Sequence, residues 1–232
     1  MKMRPMIDIR GMYKIYNPGE NEVRAIDGLT LQIDPGEFVA IVGQSGAGKS
    51  TFMNMIGCLD VPTSGSYYLN GQDVSQMSDD QLSDIRNREI GFIFQSFNLI
   101  SGLSALENVE LPLIYRGLGA AERKTLATRA LERVGLGDRM HHRPKEMSGG
   151  QQQRVAVARA LAASPPVILA DEPTGNLDSR SGVEVMNIIQ QLHREGNTIV
   201  LITHDPGIAA EAPRQIQISD GRMIHDSKEE KR

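Results

Sequence analysis

EFVAIVGQSGAGKS, residues 37–50, joins an almost unbroken apolar run to a glycine-rich octapeptide. Glu37 to Val42 reads as a strand of a parallel sheet covered on both faces, because Phe38 to Val42 has none of the alternating polar residues that a solvent-facing strand carries. Gly43 to Ser50 fits the G-x-x-x-x-G-K-S phosphate loop, in which backbone N–H groups turn inward around phosphate oxygens and the next helix presents its positive end. Lys49 would then reach the β and γ phosphates, and Ser50 would ligate Mg²⁺. Phe52, Met55, Ile56 and Leu59 fall at i, i+3, i+4 and i+7, which predicts a helix over 49–59 with one buried stripe. Strand, loop and helix together form a mononucleotide-binding unit.

The same grammar returns further along. Val167 to Ala170 (VILA) predicts a strand ending at Asp171, and Thr198 to Thr203 (TIVLIT) a strand ending at His204. Between them Val185, Ile188, Ile189 and Leu192 mark a helix that Gly196 closes. Open α/β sheets bind ligands at the carboxyl ends of their strands. Asp171 there suits a magnesium-organising carboxylate, Glu172 is the candidate to polarise an attacking water, and His204 the candidate to contact a γ phosphate. A solvated acidic loop and a structural histidine are the plainer alternatives.

MSGGQ, residues 147–151, adds a second glycine-rich helix start. Ser148 and Gln151 have the spacing of a capping box, so a good N-cap explains the motif in part. Gly149 and Gly150 nevertheless cost roughly 1 kcal/mol each against alanine inside a helix. Close approach of a phosphate would explain that cost. Since the loop at 43–50 already wraps one nucleotide, this second anion-seeking end is expected to serve a neighbour's nucleotide, which predicts a dimer.

Short strand-like runs in the first forty residues, including Leu29 to Ile33 before an Asp34-Pro35-Gly36 turn, predict a small antiparallel sheet. From about Gly91 to Ser164 the pattern is helical, as at Ala127, Ala130, Leu131 and Val134 with Gly135 as a stop, and no strand is expected after Phe94. The expected organisation is one α/β domain over 1–232: a P-loop NTPase (RecA-like) core, an N-terminal antiparallel β subdomain and a helical subdomain inserted at about 91–164. A chain of 232 residues can bury a full core of this kind. With 23% charged and 40% hydrophobic residues and a net charge of -4, it gives no electrostatic support for nucleic-acid binding. The single Cys58 excludes an internal disulfide and predicts a buried core thiol. MKMRPMIDIR has no signal-peptide core, and the longest apolar stretch, Val155 to Ala170, is interrupted by Arg159, Ser164, Pro165 and Pro166, so no membrane span is expected. Lys228 to Arg232 (KEEKR) reads as a solvated tail.

Taken together, these motifs resemble the ATPase subunits of ABC transporters over essentially the whole chain. That family has a Walker A loop, a Q-loop, an LSGGQ signature, a Walker B strand, a D-loop and a histidine switch. The phrases GCLDVPTSG, GFIFQSFNLISGLSALENVELPL and ILADEPTGNLDS are similar to the subgroup of macrolide exporters of the MacB type and lipoprotein-releasing ATPases of the LolD type. Met147 departs from the usual leucine, a volume-conserving change.

The resemblance implies ATP and Mg²⁺ as ligands. Gly43, Ser45, Gly46, Ala47, Gly48, Lys49, Ser50 and Thr51 would hold the phosphates, and Tyr16, or less well Tyr13, would stack on adenine. Ser50, Gln95 and Asp171 would serve the metal, with Glu172, His204 and Lys49 catalytic. In trans, Ser148, Gly149, Gly150, Gln151 and Asp178 of the Asn176-Leu177-Asp178 loop would complete the other subunit's site. It implies a homodimer when ATP is bound and a transmembrane permease, separate or fused after Arg232. Through that permease it implies a periplasmic adaptor and an outer-membrane channel, with the chain on the cytoplasmic face of the inner membrane. Non-transport relatives that act in cell division, or as clamps on DNA or ribosomes, are the alternative reading.

Overall fold

The computed structural model describes residues 4–19 and 21–228. In chain order the elements begin with β1 (Ile7–Tyr16), β2 (Val23–Ile33), β3 (Phe38–Val42), α1 (Lys49–Ile56), β4 (Ser64–Leu69), β5 (Gln72–Asp73) and α2 (Asp79–Glu89). There follow β6 (Ile90–Ile93), α3 (Ala105–Tyr115), α4 (Ala120–Arg133), α5 (Gly149–Ala162), β7 (Val167–Asp171) and α6 (Ser179–Arg194). The chain ends with β8 (Thr198–Thr203), α7 (Pro206–Ala209), β9 (Arg214–Ser219) and β10 (Arg222–Asp226). Contacts divide it into two compact units, one formed by residues up to Arg86 with those from Gly196 onward, the other by Asn87–Glu195.

The first unit holds the antiparallel sheet expected near the N-terminus, in the order β2-β1-β4-β5. Leu29, Leu31 and Ile33 of β2 are buried while Thr30 and Gln32 point outward, the period-2 alternation of a sheet with one wet face. Its other strands run β9-β3-β8 in parallel, with β10 antiparallel to β9. Phe38 to Ile41 and all six residues of β8 are buried, which is why their sequences show no alternation. α1 lays Phe52, Met55 and Ile56 into the core, each stabilising the fold by about 1.5–3 kcal/mol. Leu59 does not join that stripe. The helix ends at Ile56 and the chain turns through Cys58 at φ 53°, which leaves Leu59 48% exposed, while Met53 is buried with the stripe. Cys58 is buried, as expected, and burial pushes its thiol up to about 12.

At the start of β9, Arg214 donates to Asp226 at 2.6 and 3.0 Å and to Glu37 at 2.7 Å. A buried guanidinium is tolerated only with partners of this kind. Lys228 joins the cluster through Asp34 and Glu37, each at 2.7 Å, so it is anchored rather than solvated, while the rest of the predicted tail, 229–232, lies outside the described residues. The first three residues also lie outside them. No helix among the described residues is long and apolar enough to cross a membrane.

In the second unit β6 and β7 pair in parallel, Ile93 opposite Ala170. Helices α3, α4 and α5 pack on one another. Ala127, Ala130 and Leu131 of α4, and Val134 after it, are buried as the periodicity predicts. In α6 Val185, Ile189 and Leu192 are buried, Ile188 is half-buried, and Met186 completes the inward face.

Candidate functional site

In the first unit, β3 and β8 place two of the predicted groups side by side. Val42 pairs with Thr203, so Gly43 and His204 leave the carboxyl ends of adjacent parallel strands. The loop 43–48 then delivers the chain into α1 through Gly48, whose φ of +95° L residues rarely adopt. A Cβ there would lie 2.4 Å from the Ala25 carbonyl oxygen, so a side chain is excluded on two counts. No side chain caps the start of α1. Lys49 Nζ folds back to donate to the carbonyls of Gly43 and Gln44, at 2.7 and 2.8 Å, and thereby spans the loop from within. Ser45, Gly46 and Ser50 are exposed, whereas Ala47 is buried and donates its N–H to Gln44. The arrangement is a glycine-rich loop folded around an ammonium, at a helix start with no side-chain acceptor of its own. It suits a polyphosphate.

Tyr16 lies at the end of β1, exposed, with its hydroxyl donating to Asp60 Oδ2 at 3.1 Å. Partial burial and then this carboxylate raise its phenol above the usual tyrosine range, with Thr51 acting in the other direction. Lys14 Nζ, itself 2.6 Å from Asp60 Oδ1, sits 5.1 Å from the ring centroid. Tyr13 is half-buried with its hydroxyl against Gly28.

In the second unit, the register of β6 and β7 brings the chain just before Gln95 opposite Asp171. Glu172 follows in the left-handed region at φ 44°, a conformation that costs on the order of 1–3 kcal/mol and persists only where its surroundings impose it. Gln95 Nε2 donates to Asn176 Oδ1 at 3.4 Å, and Asn176 Nδ2 returns a bond to the Gln95 carbonyl at 3.1 Å. Asp178 caps α6, accepting from the Ser181 N–H at 3.0 Å and the Ser181 hydroxyl at 2.8 Å. Those two bonds, the backbone one first, hold its carboxyl below the usual range.

Ser148 caps α5 through the predicted box: Gln151 N–H to Ser148 Oγ at 3.3 Å and Ser148 N–H to Gln151 Oε1 at 3.0 Å. Gly150 has a reason unrelated to phosphate, because a Cβ there would meet Ser181 Oγ at 2.4 Å. Gly149 would make only ordinary contacts, 3.7 Å or more. The sequence reading thus explained both glycines by one cause, whereas within this chain only Gly150 is dictated by packing.

Three further residues tie this region together. Gln153 on α5 donates to the carbonyls of Phe94 and Pro173, at 3.2 and 2.6 Å. Arg159, one helical face further on, donates to the carbonyls of Phe97 and Asn98, both at positive φ. Ser181 closes the contact with Gly150. A signal for Gln153 was present in the sequence: it falls at i+3 from Gly150 and i−4 from Val157, a polar residue on the inward face of an apolar helix.

Residues 26–175 match the family model described as ABC transporter. The chain belongs to that family. Among relatives of this ABC cassette, a macrolide export ATP-binding/permease protein MacB of Hyphomonas neptunium is 54% identical over 223 residues, 96% of this chain but 35% of that protein. The chain therefore spans about a third of the length of that relative, as it does of several other MacB proteins. A Thermotoga maritima protein described as an uncharacterized ABC transporter ATP-binding protein is 51% identical, with 95% of this chain and 94% of that one covered. The dimeric post-hydrolysis structure of the ATP-binding cassette MJ0796, bound to ADP and Pi, matches with a TM-score of 0.88 at 44% identity, covering 96% of this chain and 98% of that one. This cassette accordingly has the α/β fold of the ABC ATPases, with their P-loop NTPase core, and is an ATPase of the family.

Proposed function

We propose that the chain is the energising cassette of a membrane export machine of the macrolide-exporter type, working as a head-to-tail homodimer around two ATP molecules. The observation that carries this is the pairing of two unlike helix starts on one chain. The start of α1 has no side-chain acceptor, while the start of α5 is capped by Ser148 and retains a glycine, Gly149, that packing does not require.

In this reading Gly43, Ser45 to Gly48, Lys49, Ser50 and Thr51 bind the phosphates, and Tyr16 stacks on adenine. Ser148 to Gln151 and Asp178 of the second copy complete each site. Ser50, Gln95 and Asp171 offer a hydroxyl, an amide and a carboxylate oxygen, a donor set suited to Mg²⁺. Mg²⁺, when bound there, would neutralise charge on the phosphate oxygens. Glu172 orients water for in-line attack on the γ phosphorus. As the new P–O bond forms, the bond to the β–γ bridging oxygen breaks and ADP leaves with its electron pair. Lys49 and His204 stabilise the charge on the transferred phosphoryl group.

The printed name "ATP-binding/permease" of the longer relatives supports a permease partner, fused or separate, to which the cassette docks on the cytoplasmic face of the inner membrane. A periplasmic adaptor and outer-membrane channel would follow through that permease. The MacB relatives favour macrolide-type export over lipoprotein release.

Replacing Glu172 with glutamine tests the core of the proposal. Turnover is expected to fall by about 10²-fold or more, with ATP binding kept and an ATP-stabilised dimer accumulating in light scattering. Only monomer with Mg-ATP at high protein concentration would overturn the head-to-tail arrangement.

A further inference from the structure

We infer that Gln153 is a positioning residue for hydrolysis, and that it fixes the backbone bearing Gln95 and the backbone bearing Glu172 to the signature helix through one carboxamide. This rests on the reading of Glu172 above. A primary amide has two N–H donors, and both go to main-chain carbonyls on different segments, Phe94 immediately before Gln95 and Pro173 immediately after Glu172. Gln153 is wholly buried, so water cannot replace either bond.

Two details argue that more than burial is involved. The Oε1 atom of Gln153 is buried and has no hydrogen-bond partner among the described residues. An apolar side chain would remove that orphan acceptor, so the position retains an uncompensated polar atom together with its two donors. In addition, the bond to Pro173, at 2.6 Å the shorter of the two, anchors the residue following Glu172, which stands at φ 44°. A left-handed glutamate ahead of a proline needs its successor held in place, and Gln153 is the side chain that holds it.

The other neighbours of this segment set the direction of the coupling. Asn176 already links the D-loop to Gln95 from the far side. Gln153 lies two residues beyond Gln151, whose side chain completes the cap of the same helix. A shift of the α5 start on engaging the second copy's nucleotide is thus transmitted through one rigid turn of helix to Glu172 and Gln95 of its own chain. Gln153 is the joint, and it touches no substrate.

Three variants of the 232-residue chain test this beside wild type: Gln153→Met, Gln153→Glu and Val157→Ala. Val157 is buried on the same helix and has no polar group to offer either loop, so Val157→Ala serves as a packing control. Gln153→Met and Gln153→Glu are expected to lower kcat at least tenfold with KM for ATP within threefold, since both lose the donors but leave the phosphate loop intact. Val157→Ala should keep kcat within twofold, whatever its loss of Tm. Glutamine-153 variants with wild-type kcat, a loss confined to KM, or a kcat loss that Val157→Ala shares would overturn the inference, as would failure of both Gln153 variants to fold where Val157→Ala folds. Glu172→Gln run in parallel separates the two readings. If that variant hydrolyses ATP normally, the assignment of Glu172 fails; if it is inactive and Gln153→Met is not, only the joint fails.

Discussion

The helix starts of α1 and α5 are both glycine-rich, yet they are satisfied in opposite ways. At α1, Gly48 supplies a left-handed turn and no side-chain oxygen, and Lys49 bonds to the loop's own carbonyls. At α5, Ser148 and Gln151 exchange bonds and close the start within the chain. Composition alone makes the two look equivalent. On the proposed function the difference means that the α1 start would be completed by a ligand, whereas the α5 start is capped within the chain and would present a finished surface to a second copy.

The sharpest way to break that contrast is Lys49→Ala. If the α1 start is the phosphate site, removing its ammonium should lower kcat/KM for ATP by on the order of 10²–10³-fold, the scale for losing one preorganised group that stabilises charge in the transition state. Fluorescent-ATP binding should weaken in step. Unchanged binding would mean the α1 start is no more a ligand site than α5 is.

The two signature glycines divide the α5 start itself. Gly150→Ala forces a methyl to within 2.4 Å of Ser181 Oγ and should cost about 1–3 kcal/mol of stability in chemical denaturation. Gly149→Ala meets nothing closer than 3.7 Å and should be neutral, or gain up to about 1 kcal/mol from helix propensity, while still lowering ATP turnover. A Gly149→Ala variant with normal turnover would remove the case that this surface meets a second copy's nucleotide.

How much of this was legible beforehand depended on whether the signal was local. The strand of 38–42, its glycine loop, and the strands ending at Asp171 and Thr203 were readable because burial on both faces leaves an unbroken apolar word in the sequence. Leu59 falls outside the buried stripe because periodicity does not register where a helix stops; the stop signal is Gly57, which caps α1 just ahead of the left-handed Cys58. The hairpin strand β4 was missed, since SGSYYL buries only Tyr67 and Leu69 and mimics a loop. At the site, the capping box was local and visible. The Gln153 joint and the Gly150–Ser181 contact were not, for they join residues 20 to 59 and 31 positions apart, distances over which a single sequence carries no pairing information.

A third helix start refines the contrast with the smallest effect. Asp178 caps α6 with a charge instead of a hydroxyl, and the Ser181 N–H, then the Ser181 hydroxyl, hold its carboxyl below the usual value. A depressed folded-state pKa contributes stability that is fully present above the unfolded value, near 3.9, and is lost as pH falls through the folded one. Asp178→Asn keeps an oxygen for the cap but no charge for the helix N-terminus to favour. Measured without nucleotide, the Tm difference between wild type and Asp178→Asn should therefore stay constant from pH 8 to about 5 and shrink below about pH 4. A difference that is flat through acid would mean that the charge of Asp178 does not act on the helix. Its value would then lie in what it offers a second copy, and the α6 start would belong with α5 as a finished surface.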